Sequence, residues 1–455
     1  MESTRSRSVS FSSFDGSVFT YRDVDGLILR GDHCGTERLN DVTQPLAFSV
    51  DPERVRIALD SQIDLLTLEA TRQCNLRCTY CIYSGAYVDE PTYGQQSMTM
   101  GIAHKSVDYF LSHASSSQRV IAFYGGEPLL DGNEDFIKEL VSYATQRAHE
   151  SGVPLRFAVT TNGMSLQRWG RWLAQNRVLV FVSLDGPQEV QDEWRGKGTF
   201  RQVMRGLNSM RSSDPDHFGR SIAFSATFVR AANLSRMRDF FNREFPQNRI
   251  RISGVRLAGI QEGSALKCLA EASYAKSEYS AYALEFADLV SRGLNVDKFL
   301  SGLFDQMLMV IYYRFRGERH GPDWPTNACV PGGKKLFVSC DGDFFPCEKV
   351  YGDDFAIGCA ETGVDPARVE RLLTLYADTC NANCLDCWAS RICASCLLTI
   401  RKGARLDVGM ARSLCANKRP NLLLALRTYA TIVDRSKEAL ARYMAAVSAT
   451  VEPVS

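Results

Sequence analysis

No stretch of the chain reaches the run of about 18 apolar residues that a membrane-spanning helix needs, so a membrane is not expected as a partner. The opening residues, Met1 to Phe14, are rich in serine and lack an apolar h-region. They do not read as a secretory signal, and a cytoplasmic location is the expectation. An excess of charge is missing too: 53 Lys plus Arg face 52 Asp plus Glu. That balance supplies no field for nucleic acid or for an acidic membrane surface, although it is compatible with a local basic patch or a charged substrate. The composition of a disordered chain is also absent. Hydrophobic residues make up 45% and aromatic residues 10%, enough for a sizeable core, and the length suggests about two to four structural units.

What the chain does have is cysteine. Fifteen is many for a reducing compartment, where disulfides are not expected and metal or redox chemistry is the better reading. Their distribution is uneven. Cys74, Cys78 and Cys81 fall within one short segment, ten more lie between 329 and 415, and only Cys34 and Cys268 stand apart.

Between the two cysteine regions the pattern alternates. Apolar runs of strand length occur at Ile63–Leu68, Val120–Phe123, Phe157–Thr161, Val178–Leu184, Ala223–Val229 and Ile250–Leu257. Segments with helical spacing lie among them, at Met98–His113, Phe136–His149, Leu166–Asn176, Phe200–Met210 and Leu234–Phe245. Strand followed by helix, about six times over, implies parallel strands with crossover helices. The fold class expected is α/β, a partial (β/α)6 barrel in preference to a full eight-fold one, with a flat doubly wound sheet as the alternative. Residues 265–319 read as mostly helical, and Leu422–Val447 as one closing amphipathic helix or a pair. In SVFTYRDVDGLILRG the Asp25-Gly26 pair marks the turn of a hairpin.

Cys74, Cys78 and Cys81 directly follow the first strand, at the end where parallel α/β folds gather ligands. Three thiolates at these spacings can hold a cubane iron–sulfur cluster with one iron left open to an outside ligand. A zinc knuckle is the alternative, and it would need a fourth ligand from elsewhere. CxxxCxxC with Tyr80 before the third cysteine resembles the signature of radical S-adenosylmethionine (SAM) enzymes. The resemblance implies that SAM chelates the open iron. One electron then cleaves it to methionine and a 5′-deoxyadenosyl radical, which takes a hydrogen atom from substrate.

Further motifs end the following strands in order. Gly125-Gly126-Glu127-Pro128 ends the second, Thr160-Thr161-Asn162-Gly163 the third and Ser183-Leu184-Asp185-Gly186 the fourth, with Arg195 beyond. Each taken alone is also ordinary turn and capping chemistry. By resemblance, Gly125, Gly126 and Glu127 form the motif for the SAM amino group, with Asn162 as a further contact. Ser183 and Arg195 would meet its ribose or carboxylate. Tyr80 and Val255-Arg256-Leu257 would lie near its adenine. No side chain is singled out as a catalytic acid, base or nucleophile.

The second region reads Cys329, Gly342-Asp-Phe-Phe-Pro-Cys347, Cys384-x2-Cys387-x5-Cys393-x2-Cys396 and Cys415. It resembles the SPASM extension of radical SAM enzymes, with one departure: the Cys393–Cys396 spacer is one residue shorter than in that family. The resemblance implies two auxiliary 4Fe–4S clusters, three clusters in all. Cys384, Cys387, Cys393 and Cys415 would hold the outer one, and Cys329, Cys347 and Cys396 the inner. Cys340 is the nearest candidate for the inner cluster's fourth ligand, and an open iron is the alternative. Cys340 shares a strand face with Leu336 and Val338, which also fits a packed neutral thiol. Cys380 looks spare. Zinc ribbons are the competing reading of the whole region.

Relatives of this kind mostly modify peptides and proteins, and local phrases resemble maturases of ribosomally made peptides. The expected function is formation of a thioether or carbon–carbon crosslink in a precursor peptide, with oxidation of a Cys or Ser side chain in a protein as the alternative. A non-enzymatic zinc or electron-transfer module is a third possibility. Expected partners are the peptide or protein substrate and a low-potential electron donor such as flavodoxin or ferredoxin. The expected divisions are an N-terminal extension (1–60, a peptide-binding or capping element), the barrel (61–260), a helical bridge (261–325), the auxiliary cluster domain (326–420) and a C-terminal helical segment (421–455).

Overall fold

A computed structural model describes residues 7–33, 47–60, 63–88, 90–113, 119–255, 259–268, 277–317, 324, 329–393, 395–402 and 405–450. Among them no helix is long and apolar enough to cross a membrane. They form two compact units, one drawn from 53–275 and 330–369, the other from 1–52, 276–329 and 370–451.

The first unit is built on six parallel strands: β1 (Leu65–Thr71), β2 (Arg119–Gly125), β3 (Leu155–Thr161), β4 (Leu179–Ser183), β5 (Ile222–Phe228) and β6 (Arg249–Gly254). They pair in sequence order, each with the next. Helices Met100–Ser112, Glu134–Glu150, Leu166–Gln175, Thr199–Ser213 and Leu234–Glu244 lie in the crossovers. This is the partial (β/α)6 barrel expected; β1 and β2 run past the apolar stretches that announced them, while β4 and β6 end short of theirs. Beyond β1 the sheet continues with β7 (Lys335–Val338), which is parallel to β1. It then gains β8 (Asp343–Phe345), β9 (Gly358–Cys359) and β10 (Gly363–Val364), joined antiparallel.

The register assigns the two faces of the sheet. One carries Leu66, Leu68, Ile121, Phe123, Val159, Val180, Val182, Phe224, Ile250 and Ile252, all buried. It packs on helices: the Phe224 ring lies 4.4 Å from Phe245 and 5.5 Å from Phe241, measured between centroids. The opposite face changes character along the strands. At the N-terminal end Leu65, Val120, Ala158 and Leu179 form an apolar plug. Toward the C-terminal ends it presents Glu69, Tyr124, Thr160, Ser183, Ser225, Thr227, Arg251 and Ser253. Parallel strands are usually buried on both faces. Here β5 and β6 alternate, with Ser225 and Thr227 half-buried and Arg249, Arg251 and Ser253 exposed, as strands do when one face meets solvent.

The second unit opens with an antiparallel sheet of Ser8–Ser12, Val18–Arg22 and Ile28–Arg30. The Asp25-Gly26 turn joins the last two strands. Gly26 has φ +70°, and a β-carbon on it would lie 2.2 Å from the Phe315 carbonyl oxygen, so only glycine fits. Helices Ser277–Ser291, Lys298–Tyr312, Val408–Arg435 and Lys437–Thr450 pack together in the same unit. The segment from 422 onward is thus spanned by parts of two helices.

One buried carboxylate ties the hairpin to the cysteine loop of that unit. Asp23, with no exposed surface, accepts from Arg7 Nη2 at 2.7 Å, Ser390 Oγ at 2.8 Å and the Arg391 backbone N–H at 2.8 Å. The Arg391 guanidinium in turn donates to the carbonyls of Asp23, Val24, Phe315 and Gly317. Removing one partner of such a buried set strands the rest. Asp23→Ala should therefore destabilise this unit by roughly 3–5 kcal/mol, read as a lowered urea midpoint. An unchanged midpoint would contradict this account of the loop.

Candidate active site

The site starts where β1 runs out. After Thr71 the chain leaves the sheet and turns through Cys74, Cys78 and Cys81, with Cys78 buried and the other two half-buried. Backbone bonds fold the loop tightly: Cys81 N–H to Cys78 O at 3.1 Å and Ser84 N–H to Cys81 O at 3.0 Å. Arg77 donates to the carbonyls of Cys74 and Leu76, both bonds closing the loop on itself, and its guanidinium lies 4.4 Å from the centre of the Tyr93 ring.

The end of β2 supports this loop from beneath. Gly126 N–H donates to Thr71 O at 2.7 Å, and Glu127 N–H to Gln73 O at 2.8 Å. A β-carbon on Gly126 would lie 2.1 Å from the Gln73 carbonyl oxygen, and one on Gly125 (φ +128°) 2.2 Å from that of Thr71. The close approach that these glycines permit is therefore to the backbone of the cysteine loop. Glu127 is buried, and chain donors occupy both its oxygens: Leu129 N–H at 3.0 Å and Thr161 Oγ1 at 2.7 Å on one, Asn162 N–H at 2.6 Å on the other. Burial pushes its carboxyl up, against the pull of those donors. Asn162 continues the chain of contacts, with Nδ2 2.8 Å from Asn75 Oδ1 and 3.8 Å from Cys74 Sγ. The ends of β2 and β3 are thus bonded to each other and to the cysteine loop.

The end of β4 supplies a second network. Arg195 makes a two-point ion pair with the buried Asp185, Nε to Oδ2 at 2.8 Å and Nη2 to Oδ1 at 3.1 Å. Tyr80 donates its hydroxyl to the same carboxylate and lies under the guanidinium at 5.4 Å. Thr227 N–H completes the set at 2.9 Å. Tyr80 and Arg195, far apart in sequence, meet through Asp185. Ser183 is half-buried on the open face beside Ser225. Leu257 and Arg256 fall outside the described residues.

Three residues join the site with no motif to announce them. Tyr93 hydrogen-bonds Cys81 through its hydroxyl and sits in the field of Cys78 and Cys74; burial and these sulfurs push its phenol well up. Glu69, near the end of β1, accepts from Tyr83 Oη at 2.9 Å, the Cys340 N–H at 3.0 Å and Arg72 Nε at 3.3 Å. Arg72 also binds Asp341 at 2.6 Å and the Tyr351 hydroxyl. Cys340 lies just past β7, buried, its thiol pushed up to about 12 by burial and then by Glu69. Only the alternation of β1 hinted at Glu69.

The donor set fits an iron–sulfur core. Burial pushes the Cys74 thiol up and the Cys78 thiol up to about 12, and neighbouring sulfurs add to both. A cationic core is what allows three such sulfurs to ionise together. Among the described residues no three His, Cys, Asp or Glu converge on one point as ligands of a single ion do. A cubane gives each thiolate its own iron and needs no such convergence.

Residues 68–222 match the Radical SAM superfamily. This chain is a radical SAM enzyme. It is similar to the serine-type anaerobic sulfatase-maturating enzyme of Bacteroides thetaiotaomicron, 25% identical over 304 residues, 63% of this chain and 69% of that one. It is similar also to the mycofactocin maturase MftC of Mycolicibacterium smegmatis, 33% identical over 168 residues, 35% of this chain and 37% of the relative. Among solved structures, anSMEcpe with bound AdoMet shares the fold at a TM-score of 0.59 and 19% identity, over 84% of this chain and 98% of the other. SAM and an iron–sulfur cluster are therefore cofactors of this radical SAM enzyme.

The other unit holds a second cysteine set. Cys384, Cys387, Cys393 and Cys415 line one cavity, together with Cys380 and with Tyr376, Ile400, Leu414 and Leu422. These four are the set assigned by resemblance to an outer auxiliary cluster. Cys396 is not among the residues that line the cavity; with Cys384 it packs against an apolar cluster of Phe48, Tyr376, Ala377, Cys380, Leu397 and Ile400. Cys329 is exposed, and Cys347, in the barrel unit, is half-buried.

Gly126→Ala should push the Gln73 backbone away and cost most of the about four irons that the first site of this radical SAM enzyme would hold. Iron analysis of anaerobically loaded protein in a background lacking the C-terminal ligands checks this. Full loading, with circular dichroism unchanged, would contradict the support assigned to Gly126.

Proposed function

We propose that the chain is a maturase that removes hydrogen from a residue of a peptide or protein substrate and leaves that residue crosslinked, through a thioether or a carbon–carbon bond. The observation that carries this reading is the polar face of β5 and β6, which meets solvent. Arg251 and Ser253 are exposed and Ser225 and Thr227 half-buried, so this face is accessible on the β6 side. A small metabolite is normally enclosed on most of its surface, whereas a peptide needs an open cleft. Similarity to sulfatase-maturating and mycofactocin-maturing enzymes supports the same substrate class.

When bound, the cluster and SAM supply a 5′-deoxyadenosyl radical that abstracts hydrogen. The chain's own residues do the rest by position. Cys74, Cys78 and Cys81 would hold the core. Gly126, Glu127 and Asn162 brace the loop that carries them. Arg195, fixed by Asp185 and Tyr80, presents a cation suited to the SAM carboxylate, and Ser183 a hydroxyl suited to the ribose. The buried Glu127 carboxylate places a negative charge on the side suited to the amino group. In the C-terminal region we assign Cys384, Cys387, Cys393 and Cys415 to one auxiliary cluster. Cys329, Cys347 and Cys396 go to another, with Cys340 as a candidate fourth ligand. A low-potential carrier such as flavodoxin or ferredoxin would deliver the electron.

The second reading is oxidation of a Ser or Cys side chain. The extent of similarity to the sulfatase-maturating enzyme favours it, since that similarity spans 63% of this chain. Co-expression with candidate substrate peptides separates the readings. A crosslink should lower the peptide mass by about 2 Da through loss of two hydrogens, with fragmentation suppressed between the joined residues and no reaction with a hydrazide. A hydrazide-reactive product would favour side-chain oxidation, and an unmodified peptide with SAM still cleaved would reject that substrate. Anaerobic protein should carry about twelve irons if all three cubanes form; about four, with zinc present, would contradict the auxiliary pair.

A further inference from the structure

Two cations line the cavity that holds the outer cysteine set, and no carboxylate does so among the described residues. Lys418 and Arg419 follow Cys415 by three and four residues on helix Val408–Arg435, the spacing that brings helical side chains to one side. Each cation addresses a different sulfur. Arg419 Nη2 lies 3.6 Å from Cys387 Sγ, which also accepts from the Ala389 backbone N–H. Lys418 Nζ lies 3.0 Å from Ser395 Oγ, itself 3.0 Å from Cys393 Sγ. The charge of Arg419 reaches Cys384 and Cys415 as well. Thr379, Ser390 and Ser395 add neutral hydroxyls to the lining, so the full positive charges there are those of Lys418 and Arg419.

A cubane held by four thiolates is anionic and becomes more so when it accepts an electron. Hydrogen bonds to its sulfurs and nearby positive charge favour the reduced form. We propose that Arg419 is a positioning residue that raises the reduction potential of the cluster held by Cys384, Cys387, Cys393 and Cys415. This rests on the reading that those four thiolates hold an iron–sulfur cluster. Arg419 acts through the Cys387 sulfur, and Lys418 through Ser395 at Cys393. The protein thereby makes this cluster a better electron acceptor than its ligands alone would.

The test is a redox titration of the full chain, loaded anaerobically and followed by electron paramagnetic resonance. The outer cluster's signal is assigned by its loss in Cys387→Ala/Cys393→Ala. Arg419→Met should keep the iron content and move the midpoint negative by at least 59 mV, a tenfold fall in the reduced-to-oxidised ratio for one electron. Arg419→Lys, which keeps the charge and loses the fork, should restore more than half of that shift. An unmoved midpoint with iron content intact would overturn the proposal. Loss of about four irons in both variants would overturn it too, by showing that Arg419 only packs the site. Metal analysis of the unaltered chain separates the underlying reading: zinc in place of iron at these four cysteines would remove the cluster and the proposal with it.

Discussion

A β-carbon at Gly126 would sit 2.1 Å from the Gln73 carbonyl oxygen, and that missing atom decides how the end of β2 meets the cysteine loop. Because the two backbones touch, Gly126 N–H and Glu127 N–H can each bond a carbonyl of the segment that leads into Cys74. Glu127 then turns its carboxylate inward to bond Thr161 and Asn162, and Asn162 reaches Asn75 and Cys74. Three successive strand ends are locked to one loop through bonds that need sub-ångström agreement. A loop held on a scaffold in this way is preorganised, and positioning of that kind is what a site that must steer a radical requires.

The fold was largely legible from apolar periodicity, and the errors fall at the strand boundaries. The first strand is expected at Ile63–Leu68 and is found at Leu65–Thr71; the sixth is expected to reach Leu257 and ends at Gly254. An apolar run reports the face against the helices, Leu66, Leu68, Ile250 and Ile252. Glu69 in β1, like Arg251 and Ser253 within β6, breaks that apolar pattern because it lies on the other face of the sheet. Those polar positions in otherwise apolar strands are the trace that the site leaves in sequence. The pairing of β7 with β1 left no such trace, because β-pairing between segments some 270 residues apart is set by tertiary packing, which no local window contains.

The site residues divide the same way. Motif residues such as Cys74, Gly126, Glu127 and Asn162 are announced by spacing and by their place at strand ends. Asp185 stands in a quoted motif, but its role as the bridge between Tyr80 and Arg195 depends on three segments folding together. Tyr93, Glu69 and Arg419 are single residues with common alternatives in any sequence, and only their contacts single them out. In the second unit Cys384, Cys387, Cys393 and Cys415, grouped by family resemblance, line one cavity. The anchoring of Arg391 by Asp23, across more than 360 residues, could not be read in advance.

The central claim is that Cys74, Cys78 and Cys81 hold a cluster with one iron open to SAM. It is tested most directly by electron paramagnetic resonance of the dithionite-reduced protein, recorded before and after SAM is added, in a background lacking Cys384, Cys387, Cys393 and Cys415. The account expects the signal to change shape when SAM binds, with couplings to the SAM amino nitrogen and carboxylate oxygen when those atoms carry 15N and 17O labels. A reduced-cluster signal that SAM leaves unchanged, with no coupling to either label, would contradict it.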